Sequence, residues 1–75
     1  MQIGAHLTTH RKAKNNMSQR ALVTIAGVSY STISRIEKEQ VMPNALTLIK
    51  LADALNVPVQ TIIDAEREYV ANNTN

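Results

Sequence analysis

From Ser29 to Lys38 the chain sets four aliphatic hydroxyls (Ser29, Ser31, Thr32, Ser34), one phenol (Tyr30) and two cations (Arg35, Lys38) around Ile33 and Ile36. These are groups that recognise a partner rather than groups that break bonds. The planar fork of Arg35 matches the O6 and N7 acceptors of guanine, a pairing worth about 1–3 kcal/mol of discrimination. Tyr30 can lay its ring on a thymine methyl or give its hydroxyl to a phosphate. For Ser29, Ser31 and Ser34, the backbone or a water competes evenly with a base for each short hydroxyl. Thr32 can turn its methyl inward and its hydroxyl toward a nucleic-acid backbone.

Bond-making chemistry finds no support elsewhere in the chain. There is no nucleophile with a base at a workable spacing, no glycine-rich phosphate loop and no carboxylate pair that can be argued into a cleft. The chain is expected to be no enzyme and to need no cofactor. His6 and His10 stand at i and i+4, a spacing that can hold zinc. A third ligand and the HExxH general-base pattern are both missing, so surface histidines and no metal site are expected.

Charge distribution points the same way as the residue types. Net charge is only +2, but residues 1–38 carry Arg11, Lys12, Lys14, Arg20, Arg35 and Lys38 against Glu37 alone, a balance of +5. Residues 39–75 carry two cations against five carboxylates, a balance of −3. A basic front and an acidic back orient a molecule toward a polyanion. By charge, Lys12, Lys14, Arg20 and Lys38 are candidate phosphate neighbours. No cysteine is present, no N-terminal apolar stretch resembles a leader, and no run nears the roughly 20 apolar residues of a membrane span. A cytoplasmic protein with no membrane partner is expected.

What must position these side chains is helical. At 75 residues the chain is a single domain, expected to occupy residues 1–71 with a disordered tail at 72–75. Five helices can be placed, and no strand pattern competes. The first runs from about Gln2 to Lys14, with Ile3, Leu7 and Arg11 on one face, and Asn15-Asn16 ends it. Ser18 caps a second helix, Gln19–Ala26, with Leu22, Ile25 and Ala26 turned inward. Gly27 supplies the left-handed turn. Ser29 caps a third helix to about Lys38, with Val28, Ile33 and Ile36 inward. Asn44 caps a fourth to about Leu55, with Leu48, Ile49, Leu51, Ala52 and Leu55 at helical spacing. The fifth starts near Pro58 and can continue to Val70.

Residues 18–37 therefore spell two short helices joined at Gly27, a helix-turn-helix whose second helix is shaped for the major groove. From about Ile3 to Asp64 the chain resembles the Cro/phage-repressor type of helix-turn-helix regulator. The resemblance rests on Ser18-Gln19, on Ala26-Gly27-Val28-Ser29 at the turn and on Ser31 to Glu37 in the recognition helix. Leu48-x-x-Leu51-Ala52-x-Ala54-Leu55-x-Val57-Pro58 adds the fourth helix and its exit. Two departures are visible. Val23 stands where the family usually has Ala at a close helix crossing, and the Asn15-Asn16 link is one residue longer.

The resemblance implies an all-α, five-helix, lambda-repressor-like fold and a sequence-specific regulator of transcription on double-stranded DNA. It implies that Gln19 touches phosphate or braces the recognition helix, and that Arg11 and Glu37 form a partly buried ion pair. The DNA-facing set is then Gln19, Ser29, Tyr30, Ser31, Thr32, Ser34, Arg35 and Lys38. Beyond Ile63 the last helix holds more apolar surface than one small domain needs. Ile63, Tyr69 and Val70 are thus candidates for a homodimer interface. A two-fold dimer sets two recognition helices roughly 34 Å apart, one DNA turn, which suits a partly palindromic operator and repression by promoter occlusion. Phage repressors, restriction–modification controllers and antitoxins all use this module. The rival reading is a protein-interaction module of the same fold, an adaptor or toxin-neutralising partner, with a toxin or anti-repressor as its protein ligand.

Overall fold

The structure, a computed structural model, describes residues 2–72. Five helices follow one another: α1 (Ile3–Ala13), α2 (Gln19–Ala26), α3 (Tyr30–Glu37), α4 (Ala45–Ala54) and α5 (Val59–Asn72). Three starts carry the caps that the sequence announces. The Ser18 hydroxyl accepts from Ala21 N–H, Ser29 from Thr32 N–H and Asn44 Oδ1 from Thr47 N–H, each satisfying an amide with no partner inside the helix. Left-handed backbone ends the helices at Asn15, Asn16, Gly27 and Asn56, residue types that reach it at low cost. The fifth left-handed residue is Glu39, a type with no such preference. Helix α5 extends two residues beyond the expected Val70, and residues 73–75 of the expected tail lie outside the described residues.

The core forms where the inward stripes meet. Leu7, Leu22, Ile33, Ile36, Leu51 and Ile62 are the largest fully buried side chains, one or two from each helix. Burying each contributes about 1.5–3 kcal/mol before the entropy of ordering is set against it. Helix α1 packs on α3 and α5, α2 on α3 and α4, and α4 on α5, so α3 is held from two sides. Val23 is half-buried and packs against the core, and α2 packs on α3 with valine at this position.

Ile25 departs from the expected inward placement: it is 56% exposed. At about 100° per residue, Gln19, Leu22, Val23 and Ala26 share one arc, and Ile25 falls roughly 60° outside it. Ile49 is likewise exposed, about 60° beyond the arc of Leu48, Leu51, Ala52 and Leu55 on α4. In both short helices the buried arc is narrower than the apolar one. Among the described residues, no single helix is long and apolar enough to cross a membrane.

Candidate nucleic-acid interface

Helix α3 has two different sides. With Ile33 and Ile36 committed to the core, Ser31, Ser34 and Arg35 lie roughly 100–200° around the helix from Ile33, on the outer side. Arg35 and Lys38 are exposed, and neither has a hydrogen-bond or ion-pair partner for its side chain among the described residues. Ser31 is exposed and Ser34 half-buried. At the head of the helix, the Ser29 hydroxyl lies 2.7 Å from Thr32 Oγ1 and 3.5 Å from Ser31 Oγ. These hydroxyls bond among themselves at the cap, which fixes the first turn and removes part of their capacity to reach outward.

Tyr30 is 45% exposed but not solitary: the Arg20 guanidinium of α2 lies over its ring, 5.1 Å from the centroid. This cation–π contact spans the turn at Gly27 and gives the exposed phenol a structural reason that the sequence did not reveal. Gln19 is turned to the brace: its Nε2 donates to Glu37 Oε1 at 2.8 Å.

The inner side of α3 ends in a closed polar network. Arg11 Nε donates to Glu37 Oε2 at 2.8 Å and Arg11 Nη2 to Glu37 Oε1 at 3.0 Å, a two-pronged pairing with both side chains over 90% buried. Arg11 Nη1 also donates to the Met17 carbonyl, which ties in the α1–α2 link. Burial pushes the Glu37 carboxyl upward. Hydrogen bonds from Arg11 and Gln19, the charge of Arg11 and a hydrogen bond from Thr8 outweigh it and hold the carboxyl below its ordinary value. Among the described residues no buried side-chain nitrogen or oxygen is left without a partner.

A second brace ties the start of α1 to the chain just past α3 and to α5. Helix α1 has no side-chain cap and no acidic residue in its first turn. Instead Glu39, just past α3, accepts from Gly4 N–H at 2.9 Å and Ala5 N–H at 3.1 Å, and Glu66 of α5 accepts from Gln2 N–H at 2.8 Å. Two carboxylates thus sit at the positive end of α1. Gly4 makes the approach possible, because a Cβ there would collide with the carbonyl oxygens of Ile36 and Glu37. The absent cap was the available signal: bare amides at the start of a packed helix must find acceptors elsewhere.

Other expected residues fall in different places. Lys14 is directed to the end of α4, where its Nζ donates to the Ala54 carbonyl at 3.3 Å. His6 and His10 line separate shallow pockets, and among the described residues no three metal-capable side chains gather. Ile63 and Val70 line one open apolar groove of about 460 Å³ with Ile3, Met42 and Leu48, with Glu66 and Arg67 also in its wall. Tyr69 is on another face, beside Gln2 and His6. The structure therefore joins two of the three interface candidates and separates the third.

The arrangement, a braced second helix with a cationic outer side, has relatives. The helix-turn-helix family pattern matches residues 9–62. The crystal structure of the restriction–modification controller protein C.AhdI from Aeromonas hydrophila superposes with a TM-score of 0.75 at 28% identity, over 80% of this chain and 89% of that one. No curated protein matches in sequence. With more than half its length inside the family pattern and its five helices in the controller's arrangement, the chain belongs to the Cro/phage-repressor type of helix-turn-helix DNA-binding transcription regulators.

Proposed function

We propose that this regulator acts in the cytoplasm as a repressor, binding a partly palindromic operator as a homodimer and blocking the promoter beneath it. The observation that carries the reading is the outer side of α3, where Arg35 and Lys38 remain without an internal partner while every charge on the inner side is consumed. In this docking mode the second helix enters the major groove and the first crosses the backbone. Arg35 then reads guanine, Lys38 holds a phosphate, and Ser31 and Ser34 complete the surface. Gln19 serves as a brace through Glu37. The apolar groove supports a second copy as its occupant. Met42 and Val70 are more than half exposed and line it with Ile3, Leu48 and Ile63, apolar surface that a two-fold partner would cover. Similarity to C.AhdI favours the controller setting over the phage and antitoxin settings.

Selection of bound sites from random duplexes, followed by a salt titration on the selected site, tests this. A dimer that neutralises about six to ten phosphates loses roughly 10³–10⁵ in affinity between about 50 and 200 mM salt. Weak binding that ignores both salt and sequence would contradict the reading and favour the protein-interaction module. A monomeric mass by light scattering at tens of micromolar, with and without DNA, would remove the homodimer.

A further inference from the structure

The Arg20–Tyr30 stack lies at the edge of the proposed DNA-facing surface and belongs to neither brace. Arg20 is in the first turn of α2, the helix that crosses the DNA backbone in this docking mode. Its guanidinium lies 5.1 Å from the Tyr30 ring centroid, and no carboxylate pairs with it among the described residues. Tyr30 is the first residue of α3, set immediately after a cap whose hydroxyls are bonded to one another, so the backbone that carries the ring is fixed. A stacked guanidinium gives one face to the ring and keeps its N–H edge for another acceptor. We propose that Arg20 is a phosphate contact pre-ordered by the Tyr30 ring, and that Tyr30 is a positioning residue acting through Arg20 rather than a reader of bases. The inference rests on the DNA-binding reading above. One charged and one aromatic side chain thus form a single unit whose contribution is independent of base sequence.

A double-mutant cycle on DNA affinity, read on the selected duplex and on a random one, tests it. Arg20→Ala lowers affinity on both duplexes and reduces the salt slope by roughly one unit, as the loss of one phosphate contact requires. Tyr30→Leu lowers affinity on both by roughly two- to five-fold, the scale of an exposed cation–π contact, and has no further effect once Arg20 is Ala. Phenylalanine keeps the ring, so Tyr30→Phe restores what Tyr30→Leu loses. Additive losses, a Phe variant as weak as the Leu variant, or a changed base preference in Tyr30→Leu would each overturn the proposal while leaving DNA binding intact. Failure of the wild-type protein to bind any duplex in a salt-dependent way would overturn the DNA-binding reading, and this unit with it.

Discussion

The inner and outer sides of α3 are built from similar residue types and used in opposite ways. On the inner side, Arg11, Glu37, Gln19 and Glu39 are buried or half-buried, and each has its partner at hydrogen-bond distance. On the outer side, Arg35 and Lys38 have none among the described residues. A charge matched inside the protein sets geometry; a charge left unmatched at the surface is available to a polyanion. In a 75-residue domain with few large side chains, polar clamps share the task of fixing the recognition helix with a thin apolar core. Stability and recognition should therefore come apart under mutation.

The largest expected effect is on the braced side. Glu37→Ala leaves the Arg11 guanidinium buried and unpaired, and should cost about 3–5 kcal/mol in chemical denaturation. An unchanged melting temperature would show that the clamp does not hold α3. The pH dependence follows from the same group. Its folded-state carboxyl is held below the ordinary 4.5, so its stabilisation is complete above that value and fades as pH falls through the lowered one. Wild-type protein should lose this part of its stability on acidification, and Glu37→Gln should not. Melting curves across that acid range decide it.

Gly4→Ala comes next. Alanine gains about 1 kcal/mol of helix propensity over glycine, but the new Cβ meets backbone carbonyls that cannot swing aside. Overpacking of about 1–3 kcal/mol should win, and a more stable variant in urea would mean that α1 can shift freely on α3. The smallest effect belongs to Glu39. Glu39→Gly relieves a left-handed residue but surrenders two amide contacts, so the terms nearly offset; Glu39→Ala keeps the strain and loses the contacts. The alanine variant should be less stable than the glycine variant by about 1 kcal/mol, and equal denaturation midpoints would show that the left-handed backbone at Glu39 carries no strain.

Much of the frame could be read from residues whose signals are local. Ser18, Ser29 and Asn44 cap, Gly27 turns, and Ile3, Leu7 and Arg11 share a face, because each effect acts within one or two helical turns. Ile25 departs from its expected inward place because a helix of eight residues buries only the arc its neighbours cover, and neighbours are not visible in one segment. Glu39 and Glu66 were legible only as acidic residues, since their acceptors serve amides 34 and 64 positions away. The Arg20 stack was hidden for the same reason: it depends on how two helices cross. Spacing identified the outer set on α3, whereas the division of labour among Gln19, Tyr30 and the serines depended on tertiary contacts.

On the proposed reading, the unpartnered outer side of α3 enters the major groove and meets guanine through Arg35. Methylation interference on the selected duplex tests it most directly, because methyl groups placed on guanine N7 occupy the acceptor that the arginine fork needs. One such guanine in each half-site should block binding by wild-type protein, and Arg35→Ala should bind more weakly, fold normally and no longer discriminate at that base. Wild-type binding that is indifferent to N7 methylation throughout the site would contradict it.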